Sequence, residues 1–500
     1  MTFAASDAAP VDMAFDVVIV GAGLSGIAAA HYLQALLPKH SYAILESREA
    51  IGGTWDLFRY PGVRSDSDMY TLGYSFRPWE GDSSFAAGPA ILDYVRATAR
   101  DEGIGPHIRF GHRVTVAAWD SQQARWTVTT AVTASSATGE ARFTCRFLFF
   151  CSGYYDYAQG HVPQWPGQEA FRGRVVHPQS WPHDLDWQDR NVVVIGSGAT
   201  AVTLVPQMAA TAARVTMLQR SPSYVVALPA RDGIGAWLRR WLPSRLSHPL
   251  IRWKNITLAT AFYQFSRRRP AAVRRLILRQ AGRLLGPAFD VQRHLAPRYA
   301  PWDQRVCIAP DADFFRAIRA GRADIVTGEI AGFTPDGIRL ASGEVIAADL
   351  VVTATGLQLK MLGGAALTVD GVPVDLSKAI VYRGAMFSGV PNLAVASGYT
   401  NASWTLKCEL VARYVCRVLQ AMEARGAEIC MPVNDDPQLP TQASIGLSSG
   451  YVQRSAGLLA RQGLRRPWRM YQNYLLDLLA LEFSPLRDGV LRLSKPPPER

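Results

Sequence analysis

The chain has 500 residues, of which 48% are hydrophobic and 19% charged, and a formal charge of +12. That length exceeds what one hydrophobic core usually supports, so two or three domains are expected, and the composition excludes a disordered or fibrous chain. The chain shows no apolar run of the ~18 residues a spanning helix needs, no secretory start, no CxxC pair and no zinc-ligand spacing among its six cysteines, so a cytoplasmic protein without a metal site is expected.

FDVVIVGAGLSGIAAAHYLQALL reads as a buried strand, a glycine turn and a helix. Gly21-x-Gly23-x-x-Gly26 permits a tight turn, close approach of backbone to a pyrophosphate, and close helix–strand packing. The helix N-terminus, with Ser25 in its first turn, faces phosphate with its amides. The next strand, SYAILE, ends in Glu46, an acid suited to both ribose hydroxyls of an ADP group and repulsive to a 2′-phosphate. FAD is expected here. A buried strand, FLFFCSGYY, then leads into a small-residue turn.

The pattern recurs in NVVVIGSGATAVTLVPQM, with Gly196, Ser197, Gly198, Ala199 and Thr200 at the turn. Its second strand, RVTMLQR, puts Gln219 where the first unit has Glu46, and Arg220 follows. An absent acid and an added guanidinium suit a 2′-phosphate, so NADPH is expected. The segment from about 230 to 295 is rich in Leu, Arg and Ala and reads as inserted helices. It carries much of the positive charge. Without a nucleic-acid motif it reads as a solvated face that attracts anionic cofactors, or as a peripheral membrane contact. DLVVTATGL supplies a second strand into a small-residue turn, where the chain crosses back.

The expected fold is therefore α/β: two dinucleotide-binding Rossmann-like domains, the second nested in the first, with an inserted helical subdomain. FAD-binding segments span 1–158 and 351–500, NADPH-binding segments 159–225 and 297–350, and the helical insertion 226–296.

FRGRVVHPQSWP fits F-x-G-x-x-x-H-x-x-x-W-P through Phe171, Gly173, His177, Trp181 and Pro182, and GGTWDLFRYPGVRSD fits a second long pattern from Gly52 to Asp66. On these the chain resembles the Baeyer–Villiger monooxygenases, class B flavin-dependent enzymes. GYTNASWTLK and PRYAPWDQR are similar to their thioamide-oxidising, ethionamide-activating branch. The resemblance implies FAD and NADPH, with an oxygen adduct at flavin C4a that oxygenates ketones to esters or lactones and sulfides or thioamides at sulfur. It places the active-site Arg on Arg305 and its partner on Asp66. It puts Gly53, Thr54, Trp55 and Asp66 beside the flavin, the Val114 backbone at its adenine, and Arg64 near the nicotinamide. Many relatives have Lys-Arg where this chain has Gln304-Arg305, which leaves more of the NADPH preference to Arg220. His177 is expected along the inter-domain connection, and Asn401 and Trp404 toward the substrate. Other readings stand beside these: Arg305 as a surface ion-pair residue, Asp66 as a helix cap near Ser67, an amine N-hydroxylase, and a disulfide oxidoreductase, which would need a cysteine pair.

Overall fold

VVIV is apolar without alternation, which suits a parallel strand covered on both faces. The computed structural model, which describes residues 13–133 and 139–498, places this stretch in the strand Met13–Val20, inside a nine-stranded sheet. Its parallel neighbours are Tyr42–Leu45 and Gly139–Phe150. The latter closes an antiparallel meander with His112–Asp120 and Arg125–Val132. Late in the chain, Ala366–Val369 and Leu393–Val395 return to the same sheet. The helix Leu24–Leu36 lies against Trp404–Glu423. Buried Ala28, Ala29 and Ala30 permit a close approach, and Ser25 Oγ reaches Cys408 Sγ at 3.2 Å.

The second sheet is wholly parallel, in the order Ala323–Thr327, Arg214–Gln219, Asn191–Ile195, Leu350–Thr353, Arg174–Val176. All five strands fall in sequence between strands of the first sheet, which is the expected nesting. Four helices, Gly233–Trp241, Ser244–Arg268, Pro270–Leu285 and Val291–Leu295, are inserted between the parallel strands Val225–Leu228 and Cys307–Pro310. No helix among the described residues is long and apolar enough to cross a membrane.

The two crossings between the sheets run side by side. Asp156 N–H donates to Gln358 O and Lys360 N–H to Tyr154 O, each at 2.9 Å. The Lys360 ammonium meets the Asp156 carboxylate at 3.0 Å. They form one ribbon, and both strands of it line the site.

Candidate active site

One cleft of about 1220 Å³ is lined by both glycine turns and both crossings, more than the ~300–1,000 Å³ usual for one small-molecule site. Gly21 has φ +103°, and a Cβ there would stand 2.9 Å from Cys151 O. Gly53 faces Gly23, and its Cβ would lie 3.2 Å from Gly23 Cα. Gly26 is a packing residue outside the lining: its Cβ would meet Gly21 O at 1.9 Å. Glu46 is 4% exposed and lines the cleft. Its carboxylate accepts from Ala22 N–H at 2.7 Å and Arg48 N–H at 2.9 Å. Burial pushes its pKa up, against these donors, and the oxygens retain lone pairs for ribose hydroxyls. Val114 forms part of the wall beside a bulge in its strand. Thr54 and Trp55 stand on a short helix, Thr54–Leu57, anchored by buried Asp56, which takes Arg48 at 2.6 Å and Arg96 at 2.9 Å. A glycine turn with no room for a Cβ at Gly21, and a buried acid beyond it, fits the ADP half of FAD.

At the second turn a Cβ on Gly196 would lie 2.2 Å from Ala354 O, whereas Gly198 faces open space. Ser197 Oγ donates to Ser221 O at 3.0 Å. Ala199 and Thr200 begin the helix Ala199–Met208 at the cleft, and exposed Arg220 lines it. Gln219 does not. It is 2% exposed, and its amide donates to His294 O at 2.7 Å and Thr327 Oγ1 at 2.9 Å. The helix Val291–Leu295 and the strand Ala323–Thr327, which carry these two acceptors, hold the side chain away from the cleft that Leu218 and Arg220 line. Room for a phosphate beside an unshielded guanidinium fits a nicotinamide dinucleotide carrying a 2′-phosphate.

Between the two cradles, Arg305 Nη1 donates to Asp66 Oδ2 at 3.0 Å and Nη2 to the Tyr154 hydroxyl at 3.1 Å. Its Nε is buried with no protein partner. Tyr154 foremost, then Tyr155 and Asp66, raise the guanidinium pKa well above its usual value against the effect of burial, so the cation is permanent. Helix capping falls to Asp68, whose side chain accepts from Thr71 N–H at 3.1 Å, and Asp66 is left to Arg305. Arg64 lines the cleft but is paired at 2.5 Å with Asp313.

Trp404 lines the cleft, donates from Nε1 to Ser25 Oγ at 2.9 Å, and lies 5.0 Å from the Tyr154 ring. Asn401 is absent from the lining and donates instead to Gln472 O at 3.0 Å. Tyr154 and Tyr451 were not singled out from sequence. The first was legible as a bulky residue in the small-residue turn of FLFFCSGYY, whereas the second had no local signal.

The histidine of FRGRVVHPQSWP joins the segments that connect the sheets. His177 Nδ1 accepts from Gln179 N–H at 3.2 Å, which leaves the proton on Nε2 to donate to Gly356 O at 3.3 Å. Gln179 in turn donates to Asp156 O at 2.8 Å. This short segment therefore holds both strands of the crossing ribbon, and burial keeps His177 neutral by lowering its pKa. The six cysteines are buried and free. Cys307, at the cleft, has its thiol pushed up to about 12, chiefly by burial, so the site offers no reactive thiolate pair for disulfide exchange.

The profile of the flavin-binding monooxygenase-like family matches residues 14–237. With its curated relatives, this match establishes that the chain belongs to the class B flavin monooxygenases. It is 50% identical over 483 residues to the FAD-containing monooxygenase EthA of Mycobacterium tuberculosis, covering 96% of this chain and 98% of that one. It is 43% identical to the probable FAD-binding monooxygenase AlmA of Acinetobacter baylyi, over 96% of each. Its fold is similar to an oxidized steroid monooxygenase bound to NADP, with TM-score 0.69 and 23% identity over 85% of this chain and 88% of that one. An open structure of cyclohexanone monooxygenase gives TM-score 0.70 at 19% identity, over 85% and 90%. Family membership and two dinucleotide cradles in one cleft make the chain a flavin monooxygenase whose cofactors are FAD and NADP.

Proposed function

We propose that this enzyme uses NADPH and FAD to insert one atom of O₂ into ketones, giving esters or lactones, and to oxygenate sulfides or thioamides at sulfur. The observation that carries this reading is Arg305, a permanent cation clamped between Asp66 and Tyr154, with its Nε free of protein partners. Bound FAD, reduced by NADPH, supplies the activated oxygen. Arg305 keeps its protons throughout and holds the negative charge that develops on the carbonyl oxygen, an interaction strengthened where water is excluded. Asp66 orients the guanidinium and moderates its charge. Tyr154, Trp404 and Tyr451 supply an aromatic wall at this end of the cleft, backed by buried Leu447 and Leu459. Glu46 and the first glycine turn hold the ADP group of FAD. Arg220 selects the 2′-phosphate, and Thr54 and Trp55 border the flavin.

The test is product analysis. The holoenzyme is supplied with NADPH, O₂ and matched aryl ketones and aryl sulfides, and esters and sulfoxides are separated by mass spectrometry. Arg305→Ala is expected to retain flavin reduction and lose ester formation. Wild-type ester yield in that variant would remove Arg305 from its role.

A further inference from the structure

We infer that the helical insertion is a docking surface for a lipid bilayer carrying anionic headgroups. The first observation is charge segregation. Residues 231–298 hold 15 Lys and Arg against 2 Asp and Glu, whereas the whole chain holds 53 against 41, so the remainder is nearly neutral. Arg240, Arg245, Arg268, Arg269, Arg275 and Arg279 are exposed, and none is in an ion pair among the described residues. Cofactor binding does not account for them, because none lines the cleft.

The second observation is apolar. Ile234, Trp237 and Trp241 are 59%, 61% and 65% exposed on the helix Gly233–Trp241. Their spacing of three and four residues puts them on one face. On the helix Ser244–Arg268, against which it packs, Leu246, Leu250 and Trp253 repeat the spacing at 52%, 50% and 43% exposure. Ser247 and Ile251 are buried on the inward side of that helix. Trp253 also meets the Tyr474 ring at 5.8 Å, and the segment that follows Tyr474 exposes Leu479 and Phe483 at 54% and 72%.

Tryptophan and leucine flanked by unpaired arginine are what an interfacial helix presents to headgroups and acyl chains. A second copy of the chain would set this arginine excess against itself. A nucleic acid would leave the leucines and isoleucine without partners. The bilayer satisfies both components.

The placement also serves the site. The inward face of the long helix packs Ile256 against Tyr399, which lines the cleft. The substrate end of the cleft therefore lies one helix thickness, about 10 Å, from the docking face. Lipophilic substrates dissolved in the bilayer would be concentrated next to it.

The test uses intact FAD-loaded protein and sedimentation with vesicles, and no turnover is measured, so its outcome is independent of the substrate reading. Vesicles of equal parts phosphatidylglycerol and phosphatidylcholine should carry the protein down, and vesicles of phosphatidylcholine alone should not. Raising the salt should release it. Trp237→Ser with Trp241→Ser should weaken binding at least about tenfold, and Arg268→Gln with Arg269→Gln by about fivefold per charge. Flavin content should be unchanged in both variants, since all four side chains are exposed. The inference is overturned if the wild type stays in the supernatant with mixed vesicles, if the variants sediment like it, or if the tryptophan pair instead abolishes self-association in vesicle-free buffer.

Discussion

Tyr154→Phe isolates the contribution of the second clamp on Arg305. The hydroxyl accepts from Nη2 at 3.1 Å, while the ring lies 5.0 Å from Trp404 and 4.6 Å from Tyr155. Phenylalanine keeps the ring contacts and deletes the acceptor, together with a long 3.5 Å contact to the Tyr155 hydroxyl. A hydrogen bond to a charged group contributes ~1.5–3 kcal/mol. The Arg305 side chain is 30% exposed toward the cleft, so solvent compensates for part of the loss and the lower figure applies. About 1.5 kcal/mol of lost positioning converts to roughly a tenfold fall in ketone oxygenation. Asp66 still holds Nη1, so the guanidinium is loosened rather than released. Anaerobic flavin reduction by NADPH should stay within about twofold of wild type. Ester yield per NADPH should fall, with hydrogen peroxide rising in its place. Unchanged coupling would refute the clamp. An equal fall in flavin reduction would instead assign Tyr154 to nicotinamide binding.

Arg220→Ala should lower kcat/KM for NADPH about 10- to 100-fold, the effect of losing one charge-assisted phosphate contact. Activity with NADH should hold, and parallel loss with both would show that Arg220 does not read the 2′-phosphate. Gly26→Ala puts a Cβ 1.9 Å from Gly21 O, a backbone atom with little freedom. The resulting strain of at least ~1–3 kcal/mol should appear as a lower Tm and weaker FAD retention in gel filtration; a yellow variant of unchanged Tm would contradict it. Burial lowers the His177 pKa, so the unfolded chain takes up the proton first as the pH falls. The stability from His177 is therefore present above about pH 6.5 and lost as pH drops through the folded value. Wild-type Tm should fall more than that of His177→Asn between about pH 7.5 and 5.5, and identical slopes would exclude the histidine as the source.

The strands and glycine turns were legible because they are local: unbroken apolar runs, then glycines at the spacing that a tight turn, a backbone–phosphate approach and helix–strand packing require. Glu46 was legible for the same reason. Gln219 was legible in position but not in orientation. It stands where Glu46 does, one residue past the leucine whose carbonyl accepts from the turn glycine (Leu45 from Gly21, Leu218 from Gly196), but its amide is taken by His294 and Thr327, 75 and 108 residues away. The Trp404–Ser25 bond joins residues 379 apart in sequence, a distance over which periodicity carries no information. Arg305 and Asp66 are 239 apart, and only the resemblance paired them.

The charge of the insertion was legible too, but not what it is connected to. Arg305 sits just beyond the inserted helices. Two residues before it, Asp303 takes Arg267 of the long helix at 2.7 Å, and its carbonyl accepts the Ser448 N–H at 2.8 Å. Ser449 and Tyr451, which follow, line the cleft. Asp303 thus ties the insertion to both the loop of the guanidinium and the aromatic wall, beside the Tyr263–Trp302 ring contact at 5.5 Å. Any surface that shifts the long helix acts on the loop that carries Arg305. Asp303→Asn, which weakens the ion pair but leaves the carbonyl in place, should therefore uncouple vesicle binding from any change in ester yield without abolishing either.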